Sequence, residues 1–233
     1  MVPDDDAARG RAVNSPPDDG ARDDLPLDLA ASAALIEAQR ARVAAATDVD
    51  GRLLFGAWGT SWLLGFGALY SVASDQPLLG WPDWVAGTLF AGLLGVAMII
   101  TAVHLVRRTA GVRGVSARSG AMYGWSWGLS FTGVGALGFG LSRAGVSPEV
   151  MQLVMTVVPA LLVGALYMAG AAIWRATTQF VLGAWIVAVT VVAAVVGPPA
   201  TLAVMSIAGG GGMLVGAGLE HLRRSRAGSR ADC

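Results

Sequence analysis

The chain has 233 residues, of which 55% are hydrophobic and 14% charged, and its formal net charge is zero. Soluble domains carry roughly a quarter charged residues, so this composition excludes an ordinary soluble protein and indicates one whose solvent is lipid. The basic residues are all arginine, which excludes enzymes that form a Schiff base on lysine. Heavy use of Ala, Gly and Val is typical of a bacterial protein.

The N-terminal segment predicts a tail followed by a short helix. Residues 1–27 are rich in Asp, Pro, Gly and Arg, and we expect them to form a disordered, acidic cytosolic tail because they have few apolar side chains to bury. Residues 28–50 are predicted to hold a membrane-proximal cytosolic helix with Asp28 as its N-cap. This helix is expected to lie against the membrane domain or the lipid surface, or alternatively to bind a partner.

Six apolar blocks follow the helix. A helix rises ~1.5 Å per residue, so about 20 residues cross the ~30 Å hydrocarbon layer, and every block is close to that length. The blocks occupy residues 53–73, 84–106, 121–141, 150–173, 180–196 and 200–219. The predicted fold class is therefore an all-α integral membrane protein, with six transmembrane helices over residues 53–219 and a basic cytosolic tail over residues 220–233.

The distribution of arginine predicts the orientation of these spans. The loop over residues 74–83 has no arginine, whereas the loop after the second block and the C-terminal tail have several. Arginine-rich loops stay in the cytoplasm, so we expect both termini inside the cell and the protein in the inner (plasma) membrane. The arginines expected to anchor the chain at the inner leaflet are Arg107, Arg108, Arg175, Arg223 and Arg224. If Arg175 lies deeper, it becomes a contact for an anion or a substrate.

The first, third and fifth blocks open with similar sequences. Residues 55–58 read Phe-Gly-Ala-Trp, residues 182–185 read Leu-Gly-Ala-Trp, and residues 123–125 read Tyr-Gly-Trp. This pattern raises the hypothesis of three parallel hairpin repeats, which are known among transporters. The competing interpretation is chance resemblance between spans that are rich in glycine and alanine.

Glycines at GxxxG spacing predict close helix packing. Lipid gives helices no hydrophobic reason to associate, so small residues that allow the backbones to approach each other become important. The glycines with this spacing are Gly120, Gly124, Gly128, Gly212 and Gly216. We expect them to pack within one protomer, or alternatively to form the face of a homodimer.

Two features of the spans indicate a hinge or a cavity. Four consecutive glycines at residues 209–212 cost a helix roughly 1 kcal/mol each relative to alanine, which predicts either a break in the sixth span or very tight packing. Pro159 is expected to kink the fourth span because it frees a backbone carbonyl. The residues predicted to form a hinge or line a cavity are Pro159, Gly209, Gly210, Gly211, Trp58, Trp62, Trp125, Trp127 and Ser130.

The spans offer no set of residues for chemistry. They contain no Asp, Glu or Lys, so a proton relay of buried carboxylates has no candidate. His104 and His221 are too few to hold a metal. No later span offers Ser130 a histidine base, because His221 lies at the end of the sixth span, on the wrong side of the membrane for such a site. We expect no catalytic residue, no cofactor, no metal and no nucleic acid. The lipid bilayer is the expected partner, with a homo-oligomer or a partner subunit as further candidates.

Two classes of function remain after these exclusions. The first is a transporter, or the membrane subunit of a transport system, for a small neutral or apolar solute. The second is a non-transporting membrane anchor, sensor or regulatory partner that acts through the cytosolic N-terminal helix.

Overall fold

The computed structural model describes residues 29–46, 49–74, 80–110 and 114–231. Within these ranges every regular element is helical, which confirms the predicted all-α class. The helices are α1 (Leu29–Ala46), α2 (Gly51–Ala73), α3 (Asp83–Thr109), α4 (Val115–Arg143), α5 (Pro148–Trp174), α6 (Thr177–Val196), α7 (Ala200–Val204) and α8 (Gly211–Ala231), with a π-helical segment (Met205–Gly210) between the last two. The predicted tail over residues 1–27 and the predicted N-cap Asp28 lie outside the described residues.

Five helices in the described part of the chain are long and apolar enough to cross a membrane. They cover residues 51–73, 83–109, 148–174, 177–196 and 200–226, and each contains one of the predicted apolar blocks. The predicted third block falls in α4, which has 29 residues but is less apolar because glycine, serine and threonine dilute it. The protein therefore has the multi-pass helical character and the membrane location that the composition predicts.

α1 belongs to a different compact unit from the helices that follow it in the chain. It runs from Leu29 to Ala46, close to the predicted bounds. Its apolar side chains at Leu29, Leu35 and Ile36 are 80%, 61% and 50% exposed. The helix therefore buries little apolar surface within its own unit.

The helices of the second unit form an arc rather than a closed ring. Their spatial order is α3, α2, the α7–π–α8 helix, α6, α5 and α4. α3 packs substantially only on α2, and α4 packs substantially only on α5. The most extensive packing joins α2 with the α7–π–α8 helix, followed by α5 with α6 and α2 with α3. The three hairpins of the repeat hypothesis are therefore not packed alike.

Glycines on different helices make the closest crossings of this arc. A Cβ on Gly210 would lie 2.9 Å from the carbonyl oxygen of Gly59 on α2. A Cβ on Gly183 of α6 would lie 2.7 Å from the carbonyl oxygen of Gly164 on α5. Side chains larger than hydrogen would force each pair of helices apart, so these single glycines set the helix spacing.

The glycine run at residues 209–212 is packed and is not unwound. Gly209 lies under the ring of Trp62, and Gly212 lies against Trp185. The Ser206 hydroxyl, one turn earlier, donates a hydrogen bond of 2.7 Å to the carbonyl of Leu63 on α2. The helix stays continuous from residue 200 to residue 231 with one wide π turn, so the expected break in the sixth span is not present.

The GxxxG glycines of α4 occupy open space. A Cβ at Gly120, Gly124 or Gly128 would meet nothing within 4 Å in the described chain, whereas one at Gly216 would lie 3.8 Å from Phe55. The close packing expected of the three α4 glycines within one protomer is therefore not present. α4 instead contacts α5 through Tyr123, whose hydroxyl donates a hydrogen bond of 2.7 Å to the carbonyl of Leu166.

Candidate functional site

A cleft of about 460 Å³ opens between the last turns of α2, the first turns of α3, the first turns of α5 and the start of α7. We call it the cleft. The cleft exists because α3 packs substantially only on α2 and leaves space between itself and α5. Its volume falls within the ~300–1,000 Å³ of pockets that bind small molecules.

The walls of the cleft are mostly apolar. Phe66 and Phe90 form its aromatic side, with ring centroids 4.6 Å apart. Phe90 can approach α2 because it packs against Gly65, where a Cβ would overlap its ring. Met155 and Leu202 line the cleft from α5 and α7. The close contact of Phe90 with α2 thus positions the aromatic wall.

The polar groups of the cleft come from α5 and α3. The Gln152 side-chain nitrogen Nε2 is buried and, among the described residues, has no hydrogen-bond partner. Thr156, one helical turn later on the same face, is 6% exposed, and both residues line the cleft. The exposed Asp83 lies in the first turn of α3 and lines the cleft as well. A buried amide donor without a partner is unfavourable, so the Gln152 side chain lowers the stability of this part of the bundle.

Pro159 adds an acceptor to the same turn of α5. It lies inside α5 and has no N–H, so it cannot donate to the carbonyl of Met155 four residues earlier. Met155 lines the cleft. The kink predicted for Pro159 therefore frees a carbonyl on a residue of the cleft wall.

The opposite ends of α2, α3 and α8 carry a second group of polar residues. We call Asp50, Arg52, His104, Glu220, His221 and Arg224 the polar network. Helix α2 has 23 residues and rises ~1.5 Å per residue, so the network and the cleft are separated by about 30 Å.

The core of the polar network is the N-cap of α2. Asp50 accepts a hydrogen bond of 3.0 Å from the backbone N–H of Arg52. It also forms an ion pair with the Arg52 guanidinium, at a distance of 2.8 Å. The hydrogen bond from Arg52 lowers the pKa of Asp50 to about 2. The backbone N–H of Asp50 donates 3.0 Å to Nε2 of His104 on α3, so His104 accepts at Nε2 there. These contacts join α2 to α3.

Contacts from α8 complete the network. Arg224 forms an ion pair of 2.9 Å with Glu220 and donates 3.3 Å to the carbonyl of Val49. Nδ1 of His221 lies 3.4 Å from a guanidinium nitrogen of Arg52. The two histidines therefore meet the same N-cap, which the sequence did not indicate, and no group of three metal ligands occurs in the described residues.

The arginines proposed as anchors lie at helix ends. Arg107 and Arg108 are exposed in the last turn of α3. Arg175 is an exposed C-cap of α5 in the left-handed conformation with φ 54°, so it does not face the interior of the bundle. Arg223 donates 2.8 Å to the hydroxyl of Thr178, and its neighbour Arg224 belongs to the network.

The tryptophans and the serine expected to line a cavity do not line the cleft. Trp62 is buried in the core at 5% exposure, and Trp125 is 70% exposed on α4. Trp58 donates 3.0 Å to the hydroxyl of Thr101 on α3. Trp127 stacks on Phe131. Ser130 is half-buried on α4, and none of these residues lines the cleft.

The sequence analysis missed Gln152 because it looked for charged residues inside the spans. An uncharged amide in an apolar helix is itself a signal, since it has to find a partner in a medium without water. Gln152 stands in such a block, four residues before Thr156.

Comparison with protein-family models, with curated proteins and with solved structures gave no match.

Proposed function

We propose that the protein is a six-span, inner-membrane transporter, or the membrane subunit of a transport system, for a small neutral or apolar solute. The observation that carries the proposal is the cleft. It combines apolar walls with the side chains of Gln152 and Thr156 and lies beside a turn of α5 in which Pro159 leaves the carbonyl of Met155 without its helical donor.

The proposed topology places both termini in the cytoplasm and the cleft at the outer face. It follows the arginine distribution, because Arg107 and Arg108 end α3 while α2 and α3 are joined at the other end by a loop without arginine. α4 is the proposed sixth span, since its 29 residues exceed the length that crosses a bilayer.

Cysteine accessibility in sealed vesicles tests the transport proposal. In a chain with Cys233→Ser, single cysteines replace Thr156 in the cleft and Ala160 one turn deeper, and Thr190 in the core serves as the control. Ala160 and Thr190 are 2% and 0% exposed. A charged thiol reagent that cannot cross the membrane is added from each side.

A transporter has to open a path beyond the cleft. We therefore expect Thr156→Cys to react from the outside, Ala160→Cys to react more slowly, and Thr190→Cys to stay protected. Reaction at Thr156→Cys alone would reduce the site to a closed pocket and reject transport. Protection at all three positions would reject a water-accessible cleft altogether.

The second candidate function is a membrane anchor or regulatory subunit. It is favoured by α1, which forms its own unit and exposes Leu29, Leu35 and Ile36. A photocrosslinker at Leu35 should then couple to one defined partner polypeptide in cells, and Ile36→Glu should abolish that product. Retention of the crosslink in Ile36→Glu would reject this function for α1.

A further inference from the structure

We infer that a groove between the last turn of α5 and the first turn of α6 binds the headgroup of an anionic phospholipid, and that Arg175 recognises the phosphate. We call it the basic groove. The residues that line it are Ala171, Ala172, Arg175, Ala176, Thr177 and Phe180. The inference is independent of the proposed function, because the cleft lies at the other end of α5.

The size and the walls of the basic groove suit one part of an amphipathic molecule. Its volume is about 250 Å³, which is below the ~300–1,000 Å³ of pockets that enclose a whole small ligand. Its apolar lining includes Ala172 and Phe180, and Phe180 is 49% exposed. A headgroup with the first carbons of its acyl chains suits such a shallow site, because the rest of each chain stays in the bilayer.

The charge of the basic groove favours an anion. Among the described residues that line it, Arg175 carries the charge, and neither aspartate nor glutamate is present. Arg175 is exposed, and its side chain has no hydrogen bond or ion pair within the described part of the chain. A guanidinium can donate two parallel hydrogen bonds to one phosphate group. The long, flexible side chain of Arg175 is therefore available for a phosphate at the groove.

Neighbouring aromatic residues indicate that the basic groove lies at the depth of lipid headgroups. Trp174 directly precedes Arg175 and is 46% exposed. It packs edge-on against Tyr123 of α4, with ring centroids 4.9 Å apart. Tryptophan and tyrosine are enriched where the hydrocarbon layer meets the headgroups. Phospholipid phosphates lie at the same depth, so Arg175 can meet one without entering the hydrocarbon layer.

A second arginine adds positive charge beside the basic groove. Arg223 of α8 donates a hydrogen bond of 2.8 Å to the hydroxyl of Thr178, which follows Thr177 of the groove. Two arginines therefore lie beside the first turn of α6, and their charge favours an anionic lipid over a zwitterionic one. In the proposed topology this end of the bundle faces the cytoplasmic leaflet, whose surface is negative because of its anionic lipids.

Photolabelling with a lipid tests the inference. The probe is a phosphatidylglycerol that carries a photoreactive diazirine near the head of one acyl chain. The full-length protein is purified in neutral detergent, labelled by light and digested with pepsin, and the labelled peptides are identified by mass spectrometry. We expect saturable labelling within residues 172–180, and labelling there that does not saturate would overturn the basic groove as a binding site.

Competition identifies the chemistry that the basic groove recognises. Unlabelled phosphatidylglycerol should compete about tenfold better than phosphatidylcholine with the same chains, because arginines attract the net negative charge. Inorganic phosphate at the same concentration should not compete, since it has no apolar chain to bury. Equal competition by the two lipids would overturn the preference for an anion. Competition by inorganic phosphate as strong as by phosphatidylglycerol would show a site for free anions and overturn the lipid.

Removal of the guanidinium tests the role of Arg175. Arg175→Gln should weaken the apparent affinity for the probe about threefold to tenfold, a value reduced for an exposed charged contact. Arg175→Lys keeps the charge and should retain part of the affinity. The matched control is Arg143→Gln, which removes an exposed arginine from the last turn of α4 and should label like the parent protein. Unchanged affinity in Arg175→Gln would overturn the role of Arg175.

A variant that fills the basic groove tests its location without changing any charge. Ala172→Phe adds a ring at an exposed position that lines the groove and should abolish the labelling of residues 172–180. Ala165→Phe adds the same ring at an exposed position two turns earlier on α5 and should leave the labelling unchanged. Thermal unfolding in the same detergent shows that the variants are folded. Labelling that survives in folded Ala172→Phe would overturn the groove as the binding site.

Discussion

The two ends of the bundle treat polar groups in opposite ways. At the polar network, Asp50 is paired with Arg52 and its backbone N–H reaches His104, so the groups satisfy one another. At the cleft, the Gln152 amide is buried without a partner in the described residues. Paired polar groups hold helices together, whereas an unpaired one costs stability that only a ligand or water can restore. The difference indicates that paired polar groups stabilise one end of the bundle, whereas the other end contains the cleft on which the transport proposal rests.

Among the proposed substitutions, the largest loss of stability is expected at the helix crossing between the two ends. Gly210→Ala places a Cβ against the backbone of Leu63 and against Gly59, so we expect it to lower the free energy of unfolding by about 3 kcal/mol or more and to disturb both ends together. Gly211→Ala is the matched control, because its Cβ meets nothing within 4 Å. Equal stability of the two variants in detergent denaturation would contradict the packing role of Gly210.

Removal of the unpaired amide is expected to raise the free energy of unfolding, whereas changes at the polar network are expected to lower it. Gln152→Leu should raise the unfolding free energy of the ligand-free protein by about 1–2 kcal/mol, since it replaces a buried unsatisfied donor with an apolar group. The control is Gln179→Leu, which removes the amide beside Gly170 and is not expected to raise the free energy of unfolding. Thermal unfolding in detergent measures both, and a loss of stability in Gln152→Leu would show that its amide is paired in the protein.

Removal of the N-cap carboxylate should destabilise. Asp50→Ala deletes the acceptor for the Arg52 N–H and the ion pair, and we expect it to lower the unfolding free energy by about 1–2 kcal/mol. Asp50→Asn keeps a capping oxygen, so we expect it to lower the unfolding free energy by about half of that amount. An unchanged stability in Asp50→Ala would mean that α2 and α3 do not depend on this contact.

Acid should weaken the polar network and leave the cleft's amide unaffected. The pKa of Asp50 is lowered from 3.8 to about 2, so the folded state binds its proton less readily than the unfolded state. Its contribution is therefore complete above pH 4 and is lost as the pH falls towards 2. Partial exposure of Arg52 limits the loss to about 1 kcal/mol. Asp50→Asn should remove this part of the pH dependence of unfolding, and an identical profile in both proteins would contradict it.

The local chemistry of the sequence predicted the helices well. The predicted apolar blocks lie within α2, α3, α5, α6 and the α7–π–α8 helix, because length and hydropathy decide which segments suit a bilayer. The cap of α5 is equally local, because Ser147 directly precedes Pro148 and its hydroxyl accepts a hydrogen bond of 3.4 Å from the N–H of Val150. These features depend on residues that are close in sequence.

The packing could not be predicted in this way. GxxxG spacing drew attention to Gly124 in α4, yet the closest approaches join Gly59 with Gly210 and Gly164 with Gly183. Any glycine allows close approach, but which one is used depends on which helices become neighbours. For the glycine run the sequence left a break and tight packing open, and the helix passes through the run without a break, with a π segment that ends at Gly210.

The sequence by itself determined that the chain is helical, that its solvent is lipid and where most helices begin and end, because each property sums over neighbouring residues. The tertiary structure decided that His104 and His221 meet the cap of α2 and that Gln152 faces a cleft beside Phe90. A site is a meeting of distant segments, and it forms only when the order of helices around the bundle is set. That order arises from the fit of side chains across crossings, which no single segment encodes.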